Sequence, residues 1–90
     1  MGTARKSNNN KRLQEFGRHL ESLILKKGYS SPYDFWIRQA GDDISRASLN
    51  YILAGKREPK LFTLILLMEL LDVTPQELFN FGERKKSAHR

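Results

Sequence analysis

The side chains whose types and spacing suggest chemistry are Arg46, Asn50 and Tyr51. On a helix, positions 46, 47, 50 and 51 share one face, while Leu49, Ile52 and Leu53 share the other. An arginine fork matches guanine O6 and N7, an asparagine amide matches adenine, and a tyrosine meets a phosphate or a thymine methyl group. Arg46 stands in the first turn of this helix, where the dipole disfavours a cation by about 0.3–1 kcal/mol. A residue placed against local stability points to a ligand. Singly each has a bland reading: Arg46 bridging to Asp42 or Asp43, Tyr51 partly buried, Asn50 idle on the surface. Their common face is what gives the nucleic-acid reading weight.

Other chemistries find no support in the sequence. His19 and His89 stand alone, and there is no cysteine to form a disulfide, a thiolate metal site or a nucleophile. No Gly-rich phosphate loop, HExxH spacing or Ser/His/Asp arrangement occurs. The expectation is a protein that is not an enzyme and that carries no metal and no cofactor.

The elements that position these residues follow from periodicity and punctuation. Leu13, Phe16, Leu20, Leu23 and Ile24 recur at helical spacing, with Asn10 as cap and Gly28 as stop. Ser31-Pro32-Tyr33-Asp34 starts a second helix that turns Phe35, Trp36 and Ala40 inward and ends at Gly41. Ser45 caps a third helix from Arg46 to about Ala54, closed by Gly55. After the loop Lys56-Arg57-Glu58-Pro59, a fourth helix runs from Lys60 to Leu71. Asp72-Val73-Thr74-Pro75 opens a short fifth helix reaching about Phe81. No alternating strand pattern appears. The expected fold is all-α, five short helices, with a helix-turn-helix formed by the second and third.

Ninety residues with 39% apolar content make one domain. The reading divides it into a flexible basic arm at 1–9, a folded unit at 10–82 and a basic tail at 83–90. The net charge of +6 sits at the ends. Arg5, Lys6, Lys11, Arg12, Arg84, Lys85, Lys86 and Arg90 are offset there by Glu83 alone, whereas 13–82 holds eight basic side chains against nine acidic ones. The position of individual cations therefore says more than their sum. The arm could track a minor groove or backbone. There is no apolar leader, Lys6 stands where myristoylation needs Ser or Thr, and the most apolar run, Leu61 to Leu71, is too short to span a bilayer. A cytoplasmic protein is expected.

The segment Ser45-Arg46-Ala47-Ser48-Leu49-Asn50-Tyr51-Ile52-Leu53-Ala54-Gly55-Lys56-Arg57-Glu58-Pro59 resembles the recognition segment of Cro/cI-type (XRE-like, lambda-repressor-like) domains, with a capped helix, an apolar pair and then Gly-Lys-Arg-x-Pro. The continuation Thr63-Leu64, Leu71-Asp72-Val73-Thr74-Pro75 and Glu77-Leu78-Phe79 is similar to the same family, so the resemblance covers about 13–81. It implies a lambda-repressor-like fold and a sequence-specific regulator that binds double-stranded DNA. By position it gives Arg46, Ala47, Asn50 and Tyr51 to base edges. Lys56, Arg57 and Lys60 go to phosphates, and so do Ser31 and Tyr33 at the start of helix two. Three departures stand out. Pro32 replaces a phosphate-clamping Gln that many members carry. The link from Gln39 to Ile44 is two or three residues longer than is usual for the family, requiring an extended helix two or a bulged turn. Ile24 and Leu53 replace a buried Arg–Glu pair, a swap that avoids desolvating two charges.

Helix four is apolar nearly all round: Leu64, Leu67, Met68 and Leu71 form an inward stripe, with Phe62, Ile65 and Leu66 largely off it. A homodimer through Phe62, Ile65, Leu66 and Phe81 is expected. The functional expectation is a dimeric repressor on a palindromic operator. The rival is a protein-interaction module on the same fold, antitoxin-like or polymerase-binding.

Overall fold

From Thr3 to Lys27 the sequence contains no proline and one glycine, Gly17. Nothing in that stretch interrupts a helix. The computed structural model describes the backbone of residues 2–82 and the side chains of 10–82. In it α1 spans Gly2–Lys26. The helix therefore starts ahead of Asn10, which lies inside it rather than capping it. A polar composition removed the apolar signal there but supplied no breaker. The tail at 83–90 lies outside the described residues. The buried face of α1 is Phe16, Leu20, Leu23 and Ile24, and Gly28 at φ 104° closes it in the left-handed region.

Ser31 caps α2 (Pro32–Phe35), its Oγ accepting from the Asp34 N–H at 3.0 Å. A π-helical turn, Trp36–Ala40, follows without a break. This takes up part of the long link to helix three: the wider turn winds in a residue, as π-bulges do, and residues 41–44 form the remaining turn. Gly41 permits it, because a Cβ there would lie 3.1 Å from the Trp36 carbonyl oxygen. Trp36 Nε1–H then donates to the Ile44 carbonyl at 2.7 Å and fixes the turn.

Ser45 caps α3 (Arg46–Leu53) through the Ser48 N–H at 3.0 Å. Its end is closed by Gly55 at φ 74° and by the Lys56 N–H, which donates to the Tyr51 carbonyl at 2.9 Å. Lys60 caps α4 (Leu61–Leu71) with its backbone alone, and Asp72 at φ 58° ends it. The capping box Thr74/Glu77 starts α5 (Pro75–Leu78), which stops three residues short of the expected Phe81. The described residues contain no strand.

Phe35, Leu49, Ile52, Leu67, Leu71 and Leu78 converge on the α1 face in one apolar core, with no buried polar or charged side chain among the described residues. Ile24 is fully buried and Leu53 packs against the core, so both are accommodated as apolar side chains. α1 crosses α3 backbone to backbone: a Cβ on Gly17 would stand 2.7 Å from the Leu53 carbonyl carbon, and one on Gly55 2.6 Å from Gln14 Cα. Lys27 Nζ donates to the Asp72 carbonyl at 3.1 Å, and His19 Nε2–H to the Glu77 carbonyl at 2.7 Å. The cation meets the negative end of α4. His19, unassigned in the sequence, is thus a tether from α1 to α5.

Candidate nucleic-acid interface

Burial of Leu49 and Ile52 rolls α3 so that its other side faces outward. Arg46, Ala47, Asn50 and Tyr51 are all exposed on that side. The buried Gly17 and Gly55 draw α3 hard against α1, which holds the helix rigidly from behind. Neither Asp42 nor Asp43 pairs with Arg46; among the described residues the ion pair is Arg38 with Asp34, at 3.2 Å.

Aromatic rings hold the cations of this surface. The Arg46 guanidinium lies 4.4 Å from the Tyr33 ring centroid. Tyr33 in turn stacks on Trp36, with centroids 6.0 Å apart and planes 22° from parallel. Arg57 lies 4.6 Å over Tyr51. Each contact contributes about 0.5–1 kcal/mol at an exposed site. Tyr33 therefore joins the start of helix two to the start of α3, and Tyr51 joins α3 to the following loop. Sequence spacing signals neither pairing, because in both the partners belong to different elements.

Lys56, Arg57 and Lys60 are exposed just beyond α3. Arg57 and Lys60 share a hollow of about 200 Å³ with Ser48, Thr63 and Glu58. Two cations beside two hydroxyl groups suit an anion, and Ser48 and Thr63 were not singled out by the sequence. Lys56 does not line the hollow. Ser31 is half-buried, its Oγ already occupied by the Asp34 N–H. The Asp34 carboxyl is held below its ordinary pKa, chiefly by the Ser30 N–H at 2.9 Å, with burial opposing and Arg38 assisting. Helix two thus carries a well-satisfied acidic residue beside its start.

The expected dimer residues divide into two kinds. Phe62 and Ile65 are exposed together with Leu61, which is 72% exposed and was not singled out. Leu66 instead packs against the core. Phe81 is half-buried too, edge-on to Phe16 at 5.6 Å and stacked on His19 at 5.8 Å. An apolar groove of about 200 Å³ lies beside them, lined by Leu13, Phe16, Pro59, Leu64, Phe79 and Phe81, with Arg12 and Glu58 at its rim.

Among the described residues no helix is long and apolar enough to cross a membrane. No group of His, Cys, Asp or Glu there is arranged to hold a metal ion.

Residues 38–78 match the family model described as Helix-turn-helix. The match runs from within the π turn to the last residue of α5, and is narrower than the resemblance over 13–81. Ser31, Pro32 and Tyr33 lie outside it. No curated protein and no solved structure matches the chain. The all-α architecture is of the lambda-repressor-like kind. Residues 38–78 are thus similar to the helix-turn-helix segment of the XRE, cI-like type, a type found in DNA-binding transcription regulators.

Proposed function

We propose that this chain is a sequence-specific DNA-binding repressor that acts as a homodimer on a palindromic operator, with α3 of each subunit in the major groove. The observation that carries this reading is the outward side of α3, where Arg46, Ala47, Asn50 and Tyr51 are exposed together on a helix braced from behind. Arg46 reads guanine, Asn50 adenine, and Ala47 and Tyr51 make apolar contacts with thymine methyl groups. Lys56, Arg57 and Lys60 take phosphates beyond α3, while Ser31 and Tyr33 meet the backbone at the start of helix two. The two half-sites lie one helical turn apart, about 34 Å. Binding falls steeply with salt, because these cations displace counterions. The exposed Leu61, Phe62 and Ile65 support pairing of two copies. Such a regulator works in the cytoplasm, on cellular DNA.

Selection from a random-sequence duplex library tests the reading. Enrichment of a palindrome with guanine in each half-site, weakened about 10- to 100-fold by R46A, supports it. No enriched sequence, or an enriched one that R46A binds equally well, overturns it. A second reading, a protein-interaction module on the same fold, draws on the apolar groove beside Phe79 and Phe81. It predicts a stable complex with a protein and no enriched duplex.

A further inference from the structure

Arg46 is poorly held by its own helix. It stands at the first position of α3, where the dipole repels it, and no carboxylate pairs with it among the described residues. Its fixed neighbour is the Tyr33 ring, 4.4 Å away. Tyr33 is itself 48% exposed, so the core does not hold it; it rests on Trp36. Trp36 is bonded through Nε1–H to the carbonyl of Ile44, the residue before the Ser45 cap. The contacts close a circuit that leaves the start of α3, passes through two stacked rings and returns to the first residue of α3.

We propose that Tyr33 is a positioning residue that sets the plane of the Arg46 guanidinium for base reading. This inference rests on Arg46 being the guanine reader. A ring covering one face of the guanidinium leaves its N–H edge and the opposite face accessible. The edge carries the paired donors that match guanine O6 and N7, and the opposite face suits the methyl group of a neighbouring thymine. Tyr33 therefore acts on specificity through its ring, whereas a phosphate contact would act on affinity through its hydroxyl. The match to the family begins at Arg38, so this residue is a feature of this chain rather than of the matched segment.

The two roles separate in Y33F and Y33L, measured on the full chain against the selected operator and the same duplex with its guanine replaced. Y33F keeps the guanine preference. Y33L, at a half-exposed position, keeps the helical circular dichroism but loses about two- to fivefold of that preference, the worth of an exposed cation–π contact. In the free protein, Arg46 side-chain protons shift upfield under the ring current in the wild type and in Y33F, and return to ordinary positions in Y33L. That measurement needs no DNA, and the wild-type shift reads the stack independently of how any variant folds. If Y33F and Y33L weaken all duplexes equally, or if the wild-type Arg46 protons show no ring-current shift, the positioning role is overturned while guanine reading by Arg46 stands. If R46A keeps the guanine preference, the base-reading role falls, and the proposal with it.

Discussion

Gly17 in α1 lies directly against the backbone of Leu53 in α3, with room for a hydrogen and no more. A Cβ at position 17 would stand 2.7 Å from the Leu53 carbonyl carbon and 2.8 Å from the Ile52 carbonyl oxygen. Both neighbours are backbone and cannot swing aside. Alanine gains up to about 1 kcal/mol of helix propensity over glycine, but overpacking costs about 1–3 kcal/mol. G17A is expected to lower stability, read as a fall in the urea midpoint. It also tilts α3, so operator affinity falls in variants that remain folded. An unchanged midpoint would show that the crossing relaxes freely.

The turn between α2 and α3 depends on Trp36. Its indole N–H satisfies the Ile44 carbonyl at 2.7 Å, and its ring supports Tyr33. W36F keeps an aromatic ring but leaves that carbonyl without its donor. A part-buried acceptor stripped of its partner costs about 1–3 kcal/mol. Thermal unfolding should show the loss. W36F should also weaken the Tyr33–Arg46 contact without touching Arg46 itself.

Arg57 and Tyr51 offer a test of coupling. The guanidinium lies 4.6 Å over the ring, so neither side chain acts independently. R57A should weaken binding to all duplex sequences alike and lower the salt slope by about one, as for the loss of one phosphate contact. Combined with Y51L, the double-mutant cycle should show a coupling of about 0.5–1 kcal/mol. Strict additivity would mean that the pair separates on DNA.

Much of this arrangement was legible in the sequence, and the exceptions have physical reasons. Ser31, Ser45 and Thr74 mark their helix starts because a side-chain oxygen that satisfies a free N–H leaves a local signature. The outward side of α3 follows from Leu49 and Ile52 being buried. The start of α1 was not legible, since Gly2 to Asn9 carry no apolar periodicity to mark them as helix. The π turn could be sensed only as surplus length between Gln39 and Ile44. Gly17 gives no local sign at all, because its role is set by a helix more than thirty residues away in sequence. The stacks of Arg46 on Tyr33 and Arg57 on Tyr51 are tertiary in the same sense.

Acid should destabilise the fold through two carboxylates. Glu77 is held below its ordinary pKa mainly by the Thr74 N–H, bonded at 2.8 Å, against a smaller opposing effect of burial and with help from Lys27 and Lys26. Asp34 is lowered in the same direction by the Ser30 N–H. A carboxyl lowered on folding adds stability above its unfolded pKa. That stability is lost as pH falls through the ordinary carboxylate range to the lowered folded values, since the unfolded chain takes up the proton first. The thermal midpoint should fall over that acid range. E77Q should flatten the fall, because glutamine can keep a capping hydrogen bond but cannot titrate. An equal slope in E77Q would assign the acid sensitivity elsewhere.

Pairing of two copies is tested at the exposed side of α4. Leu61 and Phe62 are 72% and 67% exposed, so their replacement removes little packing within the subunit. Leu66 and Phe81 rest against the chain's own core and are unsuitable probes, because changing them disturbs folding as well. F62E and L61E should therefore leave the subunit's own fold within about 0.5 kcal/mol of wild type, as surface substitutions do, and lower the thermal midpoint only by the stabilisation that pairing supplies. In a dimer joined at this face, a buried unpaired carboxylate opposes association strongly. Sedimentation should then show a monomer in F62E and a dimer in the wild type. The operator provides an independent reading: F62E should lose affinity for the full palindrome and keep the wild-type affinity of one subunit for an isolated half-site. A wild-type monomer on free DNA and in solution alike would leave this face without a second copy and remove the geometric basis for a palindrome.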